Sequence, residues 1–190
     1  HQRATRAIKN GWFKDQILPI EVKDGRSTRI FDTDEHVRED VSLASLAKLR
    51  TVFKKDGTVT AGNASGINDG AAVLVLMEKK EAELRGIKPL AQLVSYGHAG
   101  VDPRVMGLGP IPAVKSALEK ANLDISDIDI VESNEAFAAQ ACAVSQSLNF
   151  DPSKTNPNGG AVAMGHPVGA TGAIITIKAV SYTHLRAHET

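Results

Sequence analysis

Apolar positions recur along this chain at two different periods. Near the start, Arg3, Ala4, Ala7 and Ile8 follow helical spacing and Gly11 closes the run. Residues 18–23 and 28–31 read instead as short strands around Asp24-Gly25, a turn signal. Ser42 predicts the N-cap of a short helix that presents Leu43, Leu46 and Ala47 on one face. From Ala71 to Met77 the sequence is almost continuously apolar, as for a strand buried on both faces, and 78–85 reads as a helix stopped by Gly86. Beyond Pro89 the alternation starts afresh. A strand over 91–96 precedes a helix marked by Val114, Ala117, Leu118 and Ala121, and a β-branched strand over 128–131 precedes one marked by Phe137, Ala141, Val144 and Leu148. The apolar run Ala161 to Met164 reads as a short buried strand, followed from about Ala170 by a helix carrying Ala173, Ile174 and Ile177 that gives way near Val180. Strands separated by helices predict an α/β fold with a mixed or parallel sheet.

Charge and composition narrow the partners. The 22 lysines and arginines equal the 22 aspartates and glutamates, so no general basic field invites nucleic acid. No apolar run approaches a membrane span, so no membrane association is expected. A single cysteine, Cys142, permits no disulfide within the chain and suits a reducing compartment, the cytoplasm or an organelle matrix. It shares a helical face with Ala138 and Ser145 and reads as a small core residue.

Two segments carry candidate chemistry. In Asn158-Gly-Gly-Ala-Val-Ala-Met-Gly-His166-Pro167, a titratable imidazole lies between a glycine and a proline, with Gly169 and Gly172 beyond. A strand over 161–164 would put His166 at a sheet's carboxyl end, facing a helix N-terminus, where α/β proteins bind ligands. A structural histidine in a tight turn fits the same residues. In Asp129-Ile-Val-Glu-Ser-Asn134-Glu135-Ala-Phe-Ala138, a strand runs into a helix, and Asn134 at the junction reads as its N-cap with Glu135 in the first turn. A phosphate- or dinucleotide-binding module is a weaker alternative. Gly107-x-Gly109 lacks the third glycine of a dinucleotide fingerprint, and the Gly62 to Gly70 loop lacks the Gly-Lys-Ser/Thr of a P-loop. His184 and His188 are spaced like a zinc pair but lack its glutamate, so no metal site is expected.

Together the two segments, Asn-Glu-Ala-Phe-Ala and then Gly-Gly-Ala-x-Ala-x-Gly-His-Pro-x-Gly-Ala-x-Gly, resemble the thiolase family, specifically its acetyl-CoA acetyltransferase type. Thr60-Ala-Gly-Asn-Ala-Ser65-Gly-Ile-Asn-Asp-Gly-Ala-Ala72 is a third match. Gly100-Val-Asp-Pro103 continuing to Met106-Gly-Leu-Gly-Pro-Ile-Pro112 is a fourth. The four stand in the family's order up to about Ala179, and the resemblance is to the C-terminal half of a subunit. A histidine in place of Asn134 would instead be expected of the related ketoacyl synthases.

The resemblance implies a thiolase fold, layered α/β with a mixed sheet, truncated at both ends. Residues 1–66 would end the loop domain that covers coenzyme A, and 67–88 would complete the N-terminal domain. Residues 89–180 would form an incomplete C-terminal domain. Residues 181–190 resemble translated adapter sequence and are read as a non-native tail. The implied reaction is Claisen condensation or thiolysis of CoA thioesters through a cysteine acyl-enzyme. His166 would partner the nucleophile and donate to a thioester oxygen, while Asn134 would hold a water that supplies the second donor. Arg38, Ser45, Leu49 and Phe53 would line the nucleotide and pantetheine region, Ala61 and Ser65 would contact pantetheine, and Met106, Ala136 and Phe137 would wall the thioester. Both catalytic cysteines would lie outside this chain, making it inactive alone, or a non-catalytic CoA-binding fragment. CoA thioesters would be substrates, with no metal or redox cofactor, and the full-length protein would be a homo-oligomer.

Overall fold

The computed structural model describes residues 1–186. Helix α1 (Gln2–Lys9) ends where Gly11 turns left-handed. It docks through Arg3, whose guanidinium donates to the carbonyls of Thr155 (2.6 Å) and Pro152 (3.0 Å). Strands β1 (Ile20–Asp24) and β2 (Ser27–Phe31) form the antiparallel hairpin that Asp24-Gly25 predicts, with Ile20 opposite Phe31. Ser42 caps α2 (Leu43–Leu46) reciprocally with Ser45, each side chain meeting the other's backbone N–H. Helix α3 (Lys79–Leu84) stops before Gly86.

The main core lies between α4 (Pro110–Ala121) and α5 (Ala138–Leu148). Val144, Leu148 and Phe150 are buried there against Ile111, Val114, Ile125 and Val131. Both helices end on a left-handed asparagine, Asn122 and Asn149, a residue that tolerates this conformation. A 3-10 segment, Pro103–Leu108, rests against α4 and α5.

Several strand expectations do not hold for this chain. Among the described residues the hairpin is the only sheet. The runs 71–77 and 91–96 form no ladder, and Val73, Val75, Leu76, Leu93 and Val94 are exposed. An apolar strand is buried only when neighbouring strands and covering layers exist; α4 touches the second run at Ser95 and Tyr96, but no described strand pairs with either run. The 128–131 strand reduces to one parallel bridge, Val131 with Thr155. The run 161–164 is a helical turn, α6 (Ala161–Met164). Four apolar residues carry too little periodicity to separate helix from strand, and here a tertiary contact decides. The Glu135 carboxylate accepts from Val162 N (3.2 Å), satisfying a first-turn N–H.

Helix α7 (Thr171–Arg186) continues unbroken past Val180, where the pattern predicts its end. His184 Nε2 lies 2.8 Å from the Leu90 carbonyl, and His188 falls outside the described residues. No described helix is long and apolar enough to cross a membrane.

Candidate active site

The segment 63–66 brings the two motif segments together. Ala138 N donates to Asn63 O (2.8 Å), Ser65 N donates to Ala136 O (3.0 Å), and His166 N donates to Gly66 O (3.0 Å). Ser65 Oγ also donates to Ala136 O (3.1 Å). These bonds correct the reading of Asn134 as a helix cap. Helix α5 begins at Ala138 with Phe137 as its N-cap, and Asn63 O accepts from the N–H of that first helical residue. Glu135 accordingly lies outside the first turn.

Freed from capping, Asn134 faces the histidine. Its Nδ2 lies 3.3 Å from His166 Nε2. On the other side of the ring, His166 Nδ1 lies 2.7 Å from Thr171 Oγ1, whose own hydrogen goes to Pro167 O (3.0 Å). The ring thus holds Thr171 on one side and faces the Asn134 amide with Nε2 on the other. Asn134 Oδ1 is buried without a partner, an acceptor held ready for a donor.

Gly165, just before the histidine, has φ +92, and a Cβ there would collide with the Asn68 amide. Asn68 thus lies against the histidine loop, with its Oδ1 also buried and unpartnered. Asn68 to Ala72 and Pro167 to Ala170 line an open cavity of about 360 Å³ beside it. His36 Nδ1 donates to Ala163 O (2.8 Å) from below α6.

Beneath both loops lies a buried ion pair. Lys178 on α7 donates to Glu132 Oε2 (2.7 Å) and to Gly159 O (2.7 Å), with side chains only 7% and 3% exposed. Burial pushes the Glu132 carboxyl above its ordinary range, against the pull of Lys178.

The residues expected to meet coenzyme A divide into two sets. Ser65, Ala136 and Phe137 join the His166 site, and Phe53 reaches it through an edge-on contact with Phe137 at 6.2 Å. Arg38, Ser45, Ala61 and Met106 lie on exposed surface, and Leu49 flanks Gly62. The Ser45 hydroxyl is engaged with Ser42. Cys142 is exposed and not part of the core. Two residues rotate a helix by about 200°, so it stands opposite Val144, which faces inward. No described group of three or more His, Cys, Asp or Glu could hold a metal ion.

Sequence reading missed Asn68, Thr171, His36 and the Glu132–Lys178 pair. Only Thr171 left a local signal, one helical turn beyond Pro167. The others meet the site across long stretches of chain.

Comparison with known proteins gives a concordant result. Residues 1–80 match the profile "Thiolase, N-terminal domain" and residues 87–189 match "Thiolase, C-terminal domain". The chain is 62% identical to the beta-ketothiolase BktB of Cupriavidus necator over 181 residues, 95% of this chain and 46% of that protein. Its backbone superposes on the Bacillus anthracis acetyl-CoA acetyltransferase with a TM-score of 0.95 at 50% identity, covering 98% of this chain and 48% of the other. Human mitochondrial 3-ketoacyl-CoA thiolase, solved in complex with CoA, gives a TM-score of 0.88 at 46% identity, covering 98% and 46%. The chain thus spans about half the length of these relatives. In sequence and in backbone path, it belongs to the thiolase family.

Proposed function

We propose that this chain supplies the oxyanion-binding side of a thiolase active site, in an enzyme that transfers acetyl or acyl groups between CoA thioesters. The observation that carries the reading is the His166–Asn134 contact, with the ring oriented by Thr171. An unprotonated Nε2 can take the proton of a cysteine thiol, leaving the thiolate that attacks an acyl thioester. The imidazolium so formed then donates from Nε2 to the thioester oxygen as negative charge develops there. A water bound to Asn134 Oδ1 would supply the second donor, which gives that unpartnered acceptor a use. After the first CoA departs as its thiol, an acid/base cysteine outside this chain would take a proton from the carbon beside the carbonyl of a second acetyl-CoA, and the enolate would attack the acyl-enzyme and expel the nucleophile's thiolate; the same donors would stabilise that enolate. Ser65, Ala136, Phe137 and Phe53 border the thioester and pantetheine end. Arg38, Ser45, Leu49, Ala61 and Met106 meet the rest of CoA when the covering segments are in place.

The test uses a full-length thiolase whose matching segment is replaced by residues 1–180 of this sequence. In that enzyme Asn134→Ala lowers kcat for acetoacetyl-CoA thiolysis by about 10²-fold, the cost of one lost oxyanion donor. The melting temperature stays within a few degrees, because Asn134 caps no helix and gives up only one protein hydrogen bond, a 3.3 Å contact with His166. Wild-type turnover in this variant would remove Asn134 from the chemistry.

Both sulfur groups of the reaction are assigned to residues outside this chain, so the 190-residue polypeptide alone shows no thiolysis. Assay of the purified chain from a host lacking its own thiolases checks this. Turnover that survives Cys142→Ala would defeat the assignment of missing parts. Turnover abolished by it would make Cys142 the nucleophile.

A further inference from the structure

Asn134 and His166 stand on separate segments, and their separation must be set by contacts between those segments. Asn156 supplies one set. It is buried at 4% exposure, has φ +45, and its Oδ1 accepts from Ser133 N (2.8 Å). Its Nδ2 donates to Ser133 O (2.9 Å) and to Glu135 Oε1 (3.0 Å). One side chain therefore grips the residues on both sides of Asn134. Glu135 supplies the other set. Its second oxygen, Oε2, accepts from Val162 N in α6, the turn that leads through Gly165 into His166. Gly160 leaves the space this carboxylate occupies, since a Cβ there would overlap it. The path between the two segments thus runs through one amide and one carboxylate, with half-buried hydrogen bonds from Ser133 to Asn156, Asn156 to Glu135 and Glu135 to Val162.

We propose that Glu135 and Asn156 are positioning residues that hold the Asn134 amide against His166 Nε2. This rests on the functional reading of Asn134 and His166 given above. Neither residue need touch substrate. A misplacement of about 1 Å in a catalytic group can cost about 10²-fold in rate, which is the scale at stake.

Glu135→Gln is the discriminating variant in the full-length enzyme. It keeps the volume, but an amide has one acceptor where the carboxylate uses two. Its NH₂ must therefore face either the Asn156 Nδ2 donor or the Val162 N–H. Expected is a kcat lowered by about 10–100-fold with KM for acetoacetyl-CoA within about twofold. In an Asn134→Ala background the same substitution should lower kcat by less than about twofold, because the group it positions is gone. Asn156→Gly serves as the second variant. Glycine adopts the positive φ without strain and removes the grip on Ser133 and Glu135, so it should show the same dependence on Asn134.

Equal losses in both backgrounds would overturn the positioning role, as would wild-type kcat in both single variants. Failure of both to fold at the assay temperature would mark the pair as purely structural and overturn it too. Wild-type kcat for Asn134→Ala is a separate outcome: it removes the functional reading itself, and the positioning role with it.

Discussion

His166→Ala, in a full-length thiolase carrying this segment, is expected to lower kcat by about 10³-fold or more while KM for acetoacetyl-CoA changes by less than about tenfold. Two effects combine at one ring. The Nε2 lone pair that takes the thiol proton is lost, and so is the N–H that then faces the thioester oxygen. Proton transfer and the developing oxyanion belong to the transition state, so their loss falls on the chemical step and leaves ground-state binding nearly intact. Steady-state thiolysis kinetics over a range of substrate concentrations check it. Near-wild-type turnover with only a raised KM would reduce His166 to a binding residue. Thr171→Val offers an internal control. It keeps the shape but removes the hydroxyl 2.7 Å from Nδ1, so it should slow kcat by a smaller factor.

Lys178→Met is expected to destabilise the same protein by about 3–5 kcal/mol at neutral pH, the usual result of stranding a buried charge. Glu132 would keep a carboxylate at 3% exposure, with Oε1 already unpartnered and Oε2 newly so. Gly159 O, just before α6, would also lose its donor. The pH dependence follows from the direction of the Glu132 shift. Its folded-state pKa lies above the ordinary 4.5, and losing Lys178 removes the interactions that restrain that rise. Between the ordinary and raised values the folded state binds more protons than the unfolded state, so stability falls as pH increases through that window. The defect in Lys178→Met should therefore shrink on acidification, as Glu132 takes up a proton and becomes neutral. Denaturant unfolding at several pH values measures this. A defect that is constant or grows toward low pH would show that Glu132 is not the stranded group. Replacing both partners, Glu132→Leu with Lys178→Met, should recover much of the loss.

The pattern of apolar positions located the helices well where periodicity is long. Helix α4 carries Val114, Ala117, Leu118 and Ala121, and α5 carries Val144 and Leu148, over at least three turns each. Turn chemistry was equally local: Asp24-Gly25 closes the hairpin, and Ser42 caps α2 with its own near neighbour. The failures share one cause. Whether residues 71–77 become a buried strand depends on neighbours that the local sequence does not specify, and in this chain they remain exposed. Residues 161–164 became a helical turn because a carboxylate from 27 positions earlier receives a first-turn N–H. Cys142 lies two residues from a core position, and its helix turns it outward.

By itself the sequence determined the family. That property resides in short motifs whose glycines, asparagine and histidine can be read one position at a time. Tertiary structure alone decided what Asn134 faces. Residue type and location favoured a cap, yet α5 starts four residues later, where Asn63 from 75 positions upstream accepts its first N–H, and the amide faces His166 instead. The orientation of that histidine was equally a matter of three dimensions, since Thr171 holds its Nδ1 side and turns Nε2 toward Asn134. A sequence motif states what a side chain can donate or accept; the partner it meets is set by packing between segments far apart in the chain.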